Sequence, residues 1–285
     1  MRKEDFLRFP ETDYCTSILS IASPGSGKTY ILLKCLKAWI DMGMFEEYHV
    51  ILPSYKNEMS QSYDWLESYD HVYIYEDYYE MLGSRIVAQQ EKNHELFKKK
   101  KLKAMPKIFL GLDDATGINK NLFQSTALKR AITENRHLRI QTWILLHADK
   151  GVISPKIRQN IFFVFLYKMK DNLLKHCYNE YVNFPQDFDD YKNDFKPFFV
   201  ENVVTKEYGA MLLAGSRCYN TDIDLWFPDD SKKKEVKNKI STTDISNEQS
   251  GEFNGKANKK ARVQQTSKRE SEKASGRTRS NFSNE

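Results

Sequence analysis

The stretch Ala22-Ser23-Pro24-Gly25-Ser26-Gly27-Lys28-Thr29 limits what this chain can fold into more than any other. An apolar run, Ser17-Ile18-Leu19-Ser20-Ile21, precedes it, and a run with helical spacing, Tyr30, Leu33, Leu36, Lys37 and Ile40, follows it. Strand, glycine-rich turn and helix, with Lys-Thr at the exit, is the context in which the Walker A pattern has a physical meaning. Glycines let backbone N–H groups curl around an anion, because no Cβ blocks the approach. The helix that starts near Lys28 adds the positive end of its dipole. Ser23 through Thr29 are therefore the expected triphosphate cradle. Lys28 reaches for the β- and γ-phosphates, and the Thr29 hydroxyl is the expected Mg²⁺ ligand.

One position departs from the pattern. It opens with Gly, and here that place is Ala22. Ala restricts φ, but this position only joins the strand to the loop. Gly25 and Gly27, nearest the phosphates, are kept. A plain Gly/Ser turn is the alternative, and the flanking strand and helix argue against it.

A triphosphate site needs acids as well. Lys107-Ile108-Phe109-Leu110-Gly111-Leu112-Asp113-Asp114 is an apolar run closed by two carboxylates, the pattern of a buried parallel strand that ends at a working edge. Asp113 is the expected Walker B acid, holding Mg²⁺. Asp114 is placed to polarise an attacking water, which favours hydrolysis over phosphate transfer to an acceptor. A solvated turn after a core strand is the simpler alternative. His147 follows the next strand and could sense the γ-phosphate or hold the lytic water; a His satisfied at a strand end is the alternative. Arg130, Arg136, Arg139 and Arg158 are arginine-finger candidates, since charge on a transferring phosphoryl group calls for a guanidinium, often from a neighbouring subunit. Arg136 and Arg158 lead, because both are expected to flank the working edge of the sheet.

Along the chain, strands are expected at 17–21, 48–52, 71–75, 107–114, 139–146 and 161–166. Helices are expected at 28–42, within 78–102, at 121–135, from Pro155 with Ser154 as N-cap, and at 171–182. Strands alternating with helices predict an α/β fold with a mostly parallel sheet. Phe198–Thr205, Ala210–Ala214 and Ile223–Phe227 read as short strands, an antiparallel edge, and residues 1–15 as a polar lead-in. Of the 285 residues, 40% are hydrophobic, enough for a core. No apolar run approaches the roughly 20 residues that span a bilayer, and the start, Met1-Arg2-Lys3-Glu4-Asp5, leads into no signal-peptide core. Cys15, Cys35, Cys177 and Cys218 are too scattered for a zinc site or a disulfide framework. From Ser231 to Glu285 there are 14 Lys and Arg against 7 Asp and Glu, so the tail carries +7 and the body −2. Few apolar residues occur from Asp229 onward. The expected organisation is an ATPase domain at 1–228 and a disordered basic tail at 229–285.

Taken in order, the chain shows the phosphate loop, a strand ending Asp113-Asp114, Asn135-Arg136-His137 leading into a strand, a polar residue at that strand's end, and Ile157-Arg158-Gln159-Asn160 before an apolar strand. This series resembles the genome-packaging ATPases of the FtsK–HerA superfamily, and within them the poxvirus-type packaging ATPases of large DNA viruses and virophages. The resemblance covers roughly Ile18 to Tyr167. It implies a RecA-like P-loop NTPase domain assembled as a ring. It implies Lys28 and Thr29 at phosphate and Mg²⁺, Asp113 as Walker B acid and Asp114 as catalytic carboxylate. The family places Gln where His147 stands. Spacing between Lys28 and Asp113, 85 residues, suits ATPases with an extra strand inserted in the sheet.

The expected activity is thus ATP hydrolysis coupled to movement of double-stranded DNA into a preformed capsid. Expected partners are the DNA backbone, met without sequence preference, a capsid or portal protein, and further copies of the chain. Lys98–Lys103 and the tail supply basic segments for such contacts, or else a solvated surface. The tail could instead address a capsid or the nucleus. The expected location is intracellular: host cytoplasm or virus factory, with association with the virion. A helicase or plasmid-transfer ATPase of the same superfamily, a P-loop nucleotide kinase, and a nucleotide-binding adaptor are the competing readings.

Overall fold

The computed structural model describes residues 3–12, 14–53, 61–114, 122–147, 152–182, 188, 190–215 and 222–226, with backbone alone at 61–62 and 222–226. The chain divides into one unit at Met1–Asp229 and another at Asp230–Glu285. The expectation of a disordered basic tail falls outside the described residues.

Eight strands form one sheet: β1 (Ser17–Ile21), β2 (Glu47–Ile51), β3 (Val72–Tyr75), β4 (Ile108–Asp113), β5 (Ile140–Leu146), β6 (Ile161–Tyr167), β7 (Ala210–Ala214) and β8 (Asp222–Trp226). Their order is β3-β2-β4-β5-β1-β6-β7-β8. The first six in that order run parallel, and β7 and β8 add an antiparallel edge. Every residue of β1, β4 and β5 is buried. Strands covered on both faces read as continuous apolar runs, which is why these were visible in the sequence. β5 lies between the loop strand β1 and the acid-bearing strand β4. The long Lys28–Asp113 spacing itself is taken up by β2 and β3, which lie on the far side of β4, while β5 follows Asp113 in the chain.

Side chains alternate along each strand, so the sheet carries two cores. One holds α1 (Lys3–Arg8), α2 (Lys28–Asp41) and a 3₁₀ segment, Gln61–Ser68, and is rich in aromatic rings. The other holds α3 (Glu80–Lys98), α4 (Thr126–Thr133), α5 (Asn135–Leu138), α6 (Pro155–Arg158) and α7 (Asp171–Tyr181). Ser154 caps α6 as expected, accepting from the Ile157 N–H, and Ser125 caps α4 the same way. The helix expected at 121–135 is broken into a 3₁₀ turn at Leu122–Gln124, then α4 and the start of α5.

Two readings are corrected. Residues 1–15 are not a plain lead-in: α1 drives Phe6 into the core, 1% exposed, with ring contacts to Trp39, Trp143, Phe163 and Phe165. The Trp39 indole N–H donates to the Leu7 carbonyl at 2.9 Å and ties α1 to α2. Phe198–Thr205 is not a strand. Residues 191–204 form one helical stretch, π-wound at Tyr191–Phe195 and Val200–Val204 with an α turn, Lys196–Phe199, between them. Its aromatic and β-branched residues suggested β structure. Phe195, Phe199 and Val203, four apart, are all buried, so the apolar face follows helical spacing.

Among the described residues, no helix is long and apolar enough to cross a membrane. Cys15, Cys35 and Cys177 are buried, and burial pushes the Cys35 thiol far above its usual range.

Candidate nucleotide site

Strand register assembles the site. Ile21 pairs with Leu146 on β5, and Asp113 pairs with Leu145. The three parallel strands therefore end level, and the next residues, Ala22, Asp114 and His147, emerge side by side. The Ala22 N–H still donates to the Leu146 carbonyl, and the Ser23 N–H donates to the Lys168 carbonyl just past β6. Ala22 thus continues a strand ladder, and that position needs no glycine freedom. The loop proper does: Gly25 has φ +71° and Gly27 has φ +91°, left-handed values that favour glycine. Gly27 is the N-cap of α2, which begins at Lys28.

The Thr29 hydroxyl donates to Asp113 Oδ2 at 2.7 Å, across the 84 residues that separate them in sequence. Asp113 is buried, and the Tyr63 hydroxyl lies 3.5 Å from the same oxygen. Burial raises the Asp113 pKa from its ordinary value; the Thr29 hydrogen bond and the Lys28 charge oppose the rise, while Asp114 adds to it. Asp114 sits at φ +53°, a left-handed conformation uncommon outside glycine but accessible to Asp. That turn at the strand end brings its carboxylate to His147: the ring Nε2 is 3.0 Å from Asp114 Oδ2. The other ring nitrogen, Nδ1, is 3.1 Å from the Ala22 carbonyl. Lys28, 8% exposed, places Nζ 3.3 Å and 3.4 Å from the two ring nitrogens. With its proton on Nε2 the ring donates to Asp114, and with its proton on Nδ1 it donates to the Ala22 carbonyl.

Lys28, Thr29, Asp113, Asp114 and His147 are therefore brought together. Tyr63 joins them, and nothing in the sequence marked it, because it arrives from the 3₁₀ segment beside β3.

The arginines are elsewhere. Arg136 and Arg158 precede β5 and β6, so both lie where the parallel strands begin, not where they end. The expectation that they flank the working edge of their own sheet is corrected by strand direction. A five-residue strand is about 17 Å long, which keeps both away from the loop of the same chain. Arg136 is exposed, its guanidinium 5.4 Å from the Tyr14 ring centroid. Arg158 Nη1 donates to the Ile153 carbonyl at 3.0 Å, and its Nε stands 3.2 Å from Glu180 Oε2, a charge contact too oblique for a hydrogen bond. Arg130 pairs with both Glu91 and Glu134 at 2.8 Å. Arg139 ends α5 with φ +51°.

These residues fit a nucleotide with Mg²⁺. Asp113 Oδ1, Asp114 Oδ1 and Ser26 Oγ are buried atoms with no hydrogen-bond partner among the described residues, an arrangement that is costly unless a ligand completes it. Among the described residues no group of three His, Cys, Asp or Glu forms a metal cage. One carboxylate and one hydroxyl, with phosphate oxygens and water, suit a Mg²⁺ shared with a substrate.

No family model and no curated protein matches the chain. Among solved structures, B204, the DNA-packaging ATPase of Sulfolobus turreted icosahedral virus, is similar with TM-score 0.50 and 14% identity, over 76% of this chain and 100% of that one. The genome-packaging NTPase B204 of Sulfolobus turreted icosahedral virus 2, in complex with AMPPCP, gives TM-score 0.48 at 14% identity over the same shares. EssC (ATPases 2 and 3) from Geobacillus thermodenitrificans gives 0.48 at 15% identity, over 82% of this chain and 44% of that one. At such identities the likeness is one of fold: this is a P-loop NTPase fold, in agreement with the resemblance carried by the motifs.

Proposed function

We propose that the chain is an ATP-hydrolysing motor that moves double-stranded DNA into a preformed viral capsid. The observation that carries the hydrolytic half is the pairing of two acids with two different partners: Asp113 with Thr29, and Asp114 with His147. The first pair is the hydroxyl–carboxylate set that would hold Mg²⁺, whose charge offsets that of the phosphates when bound. The second pair leaves a carboxylate, steadied by a ring N–H, facing the loop's mouth to orient a water. Lys28, released from His147, supplies positive charge at the transferring phosphoryl group.

The motor half rests on the likeness of fold and on the motif series around Arg136 and Arg158. Each arginine lies at the far edge of its own sheet, so a finger role for either is a role at a neighbouring subunit's site, in a ring. Lys98–Lys103 and the basic tail would meet the DNA backbone without sequence preference. A capsid or portal protein would be the fixed partner, and the setting would be the host cytoplasm, a virus factory or the virion. A nucleotide kinase fits less well, because the second acid is engaged with His147 at the loop's mouth rather than left to a substrate.

The test is ATP turnover against added double-stranded DNA, with assembly state followed by light scattering. Turnover that rises with DNA in a ring-sized assembly is expected; a monomer whose turnover ignores DNA overturns the motor reading. Mixing Arg136→Ala or Arg158→Ala chains into wild type should depress activity more than in proportion if the arginine acts across subunits.

A further inference from the structure

Two tyrosines stand at the mouth of the phosphate loop with no part in the hydrolytic set. Tyr30 follows Thr29 in the first turn of α2. Tyr208 lies just before β7, far along the chain, and its ring reaches the loop: a Cβ placed on Gly27 would meet Tyr208 Cδ1 at 2.6 Å. The two rings stack, centroids 5.6 Å apart and planes 26° from parallel. Both remain exposed, Tyr30 at 41% and Tyr208 at 42%. Lys34 Nζ lies over the Tyr30 ring, 5.4 Å from its centroid. Tyr208 is held at φ +53°, a costly backbone conformation for a large side chain. A strained residue that aims an exposed ring over the phosphate loop buries little in exchange for that strain.

Topology says which part of a nucleotide would meet these rings. In the sheet, β1 separates β5 and β4 on one side from β6 and β7 on the other. The acids and His147 come from the β4–β5 side, so the terminal phosphate of a bound triphosphate belongs there. The nucleoside end must then leave on the β6–β7 side. The Ser23 N–H bond to Lys168 fixes the loop against that side, and Tyr167 pairs with Ala210, which brings residue 208 to the same level.

We infer that Tyr208 and Tyr30 form the nucleobase platform of the site, on which a purine base extends the aromatic stack while its phosphates occupy residues 22–29. This rests on the reading of the loop as a nucleoside-triphosphate site. Stacking engages the π-face that all bases share, so ATP and GTP should bind alike, and the smaller pyrimidine rings of CTP and UTP more weakly.

Calorimetric titration of ATP and of inorganic tripolyphosphate, which has the phosphates but no base, tests it. Tyr208→Ala should weaken ATP binding about tenfold or more and leave tripolyphosphate binding unchanged. Tyr208→Phe should keep the wild-type affinity for both, and Tyr30→Ala should follow Tyr208→Ala with a smaller loss. If Tyr208→Ala weakens both ligands equally, the ring merely braces Gly27 and the platform is overturned. Unchanged ATP binding in Tyr208→Ala overturns it too. A wild-type chain that binds neither ligand overturns the triphosphate reading itself, and the platform with it.

Discussion

The two edges of the sheet are built in opposite ways. Where the parallel strands end, polar atoms are concentrated and left incomplete: Ser26 Oγ, Asp113 Oδ1 and Asp114 Oδ1 are buried without partners among the described residues. Where the strands begin, a polar pocket of about 280 Å³ opens among Thr16, Glu134, Asn135, Arg136, Gln159 and Asn160. Its deeper groups serve the fold: the Asn135 amide donates to Ser17, and the Thr16 N–H donates to the Gln141 side chain. One edge waits for a ligand; the other is largely completed by its own chain. The lesson concerns arginines. Sequence order set Arg136 and Arg158 beside the hydrolytic motifs, while strand direction puts them at the far edge.

The largest expected effect breaks the working edge alone. Asp114→Asn should lower kcat by about 10²- to 10⁴-fold while ATP still binds, because a general-base contribution is of that size. An adaptor without turnover would show no change, which would dissolve the contrast between the edges. The far edge should answer in stability instead. Arg158 is 12% exposed against Glu180 at 24%, so Arg158→Ala removes a partly buried charge contact together with the bond to the Ile153 carbonyl and should cost about 1–3 kcal/mol. Arg136 is exposed and should tolerate Ala within about 0.5 kcal/mol. Urea unfolding separates the two. If Arg136→Ala abolishes turnover at unchanged stability, only a neighbouring subunit's site can account for it.

His147 offers a finer cut within the working edge. The resemblance implies Gln at this place. An amide can still donate to Asp114, so His147→Gln should hold kcat within about tenfold of wild type, and His147→Leu should fall further. Equal losses in the two variants would show that the ring, and not a hydrogen bond, is what the site uses.

What could be read in advance follows from how local each signal is. The loop at 22–29 was legible because strand, glycines and helix are contiguous. Asp113 and Asp114 were legible because a buried strand is apolar to its end and stops at acids. Tyr63, Tyr208 and Phe6 were not, since each reaches its partners from a distant segment and carries no mark in its neighbours. Residues 198–205 misled because Phe and Val suit strands, and only burial at every fourth residue reveals the helix. The arginines misled for a different reason: a residue three or four places before a strand and one just after a strand lie a strand's length apart.

The smallest expected effect is a gain, and it tests what the incomplete edge costs. Burial raises the Asp113 pKa in the folded protein, so the native state holds that proton more tightly than the unfolded chain does. Stability from this group is therefore present at low pH and is lost as pH rises from the usual carboxylate range through the raised value. At neutral pH the ionised side chain opposes folding. Asp113→Asn removes the charge and keeps an oxygen that can accept from Thr29. Without nucleotide or Mg²⁺ it should raise Tm at pH 7 by a few degrees, since 1 kcal/mol moves a domain of this size by about 2–4 °C. Below the carboxylate range the two Tm values should converge. Adding ATP with Mg²⁺ should reverse the order, because only the carboxylate can hold the cation and so gain stability from binding. A variant less stable than wild type at neutral pH, without ligand, would mean that the Thr29–Asp113 bond outweighs the burial of charge. The working edge would then be a stabilising feature of the empty fold, and the contrast between the two edges would fail.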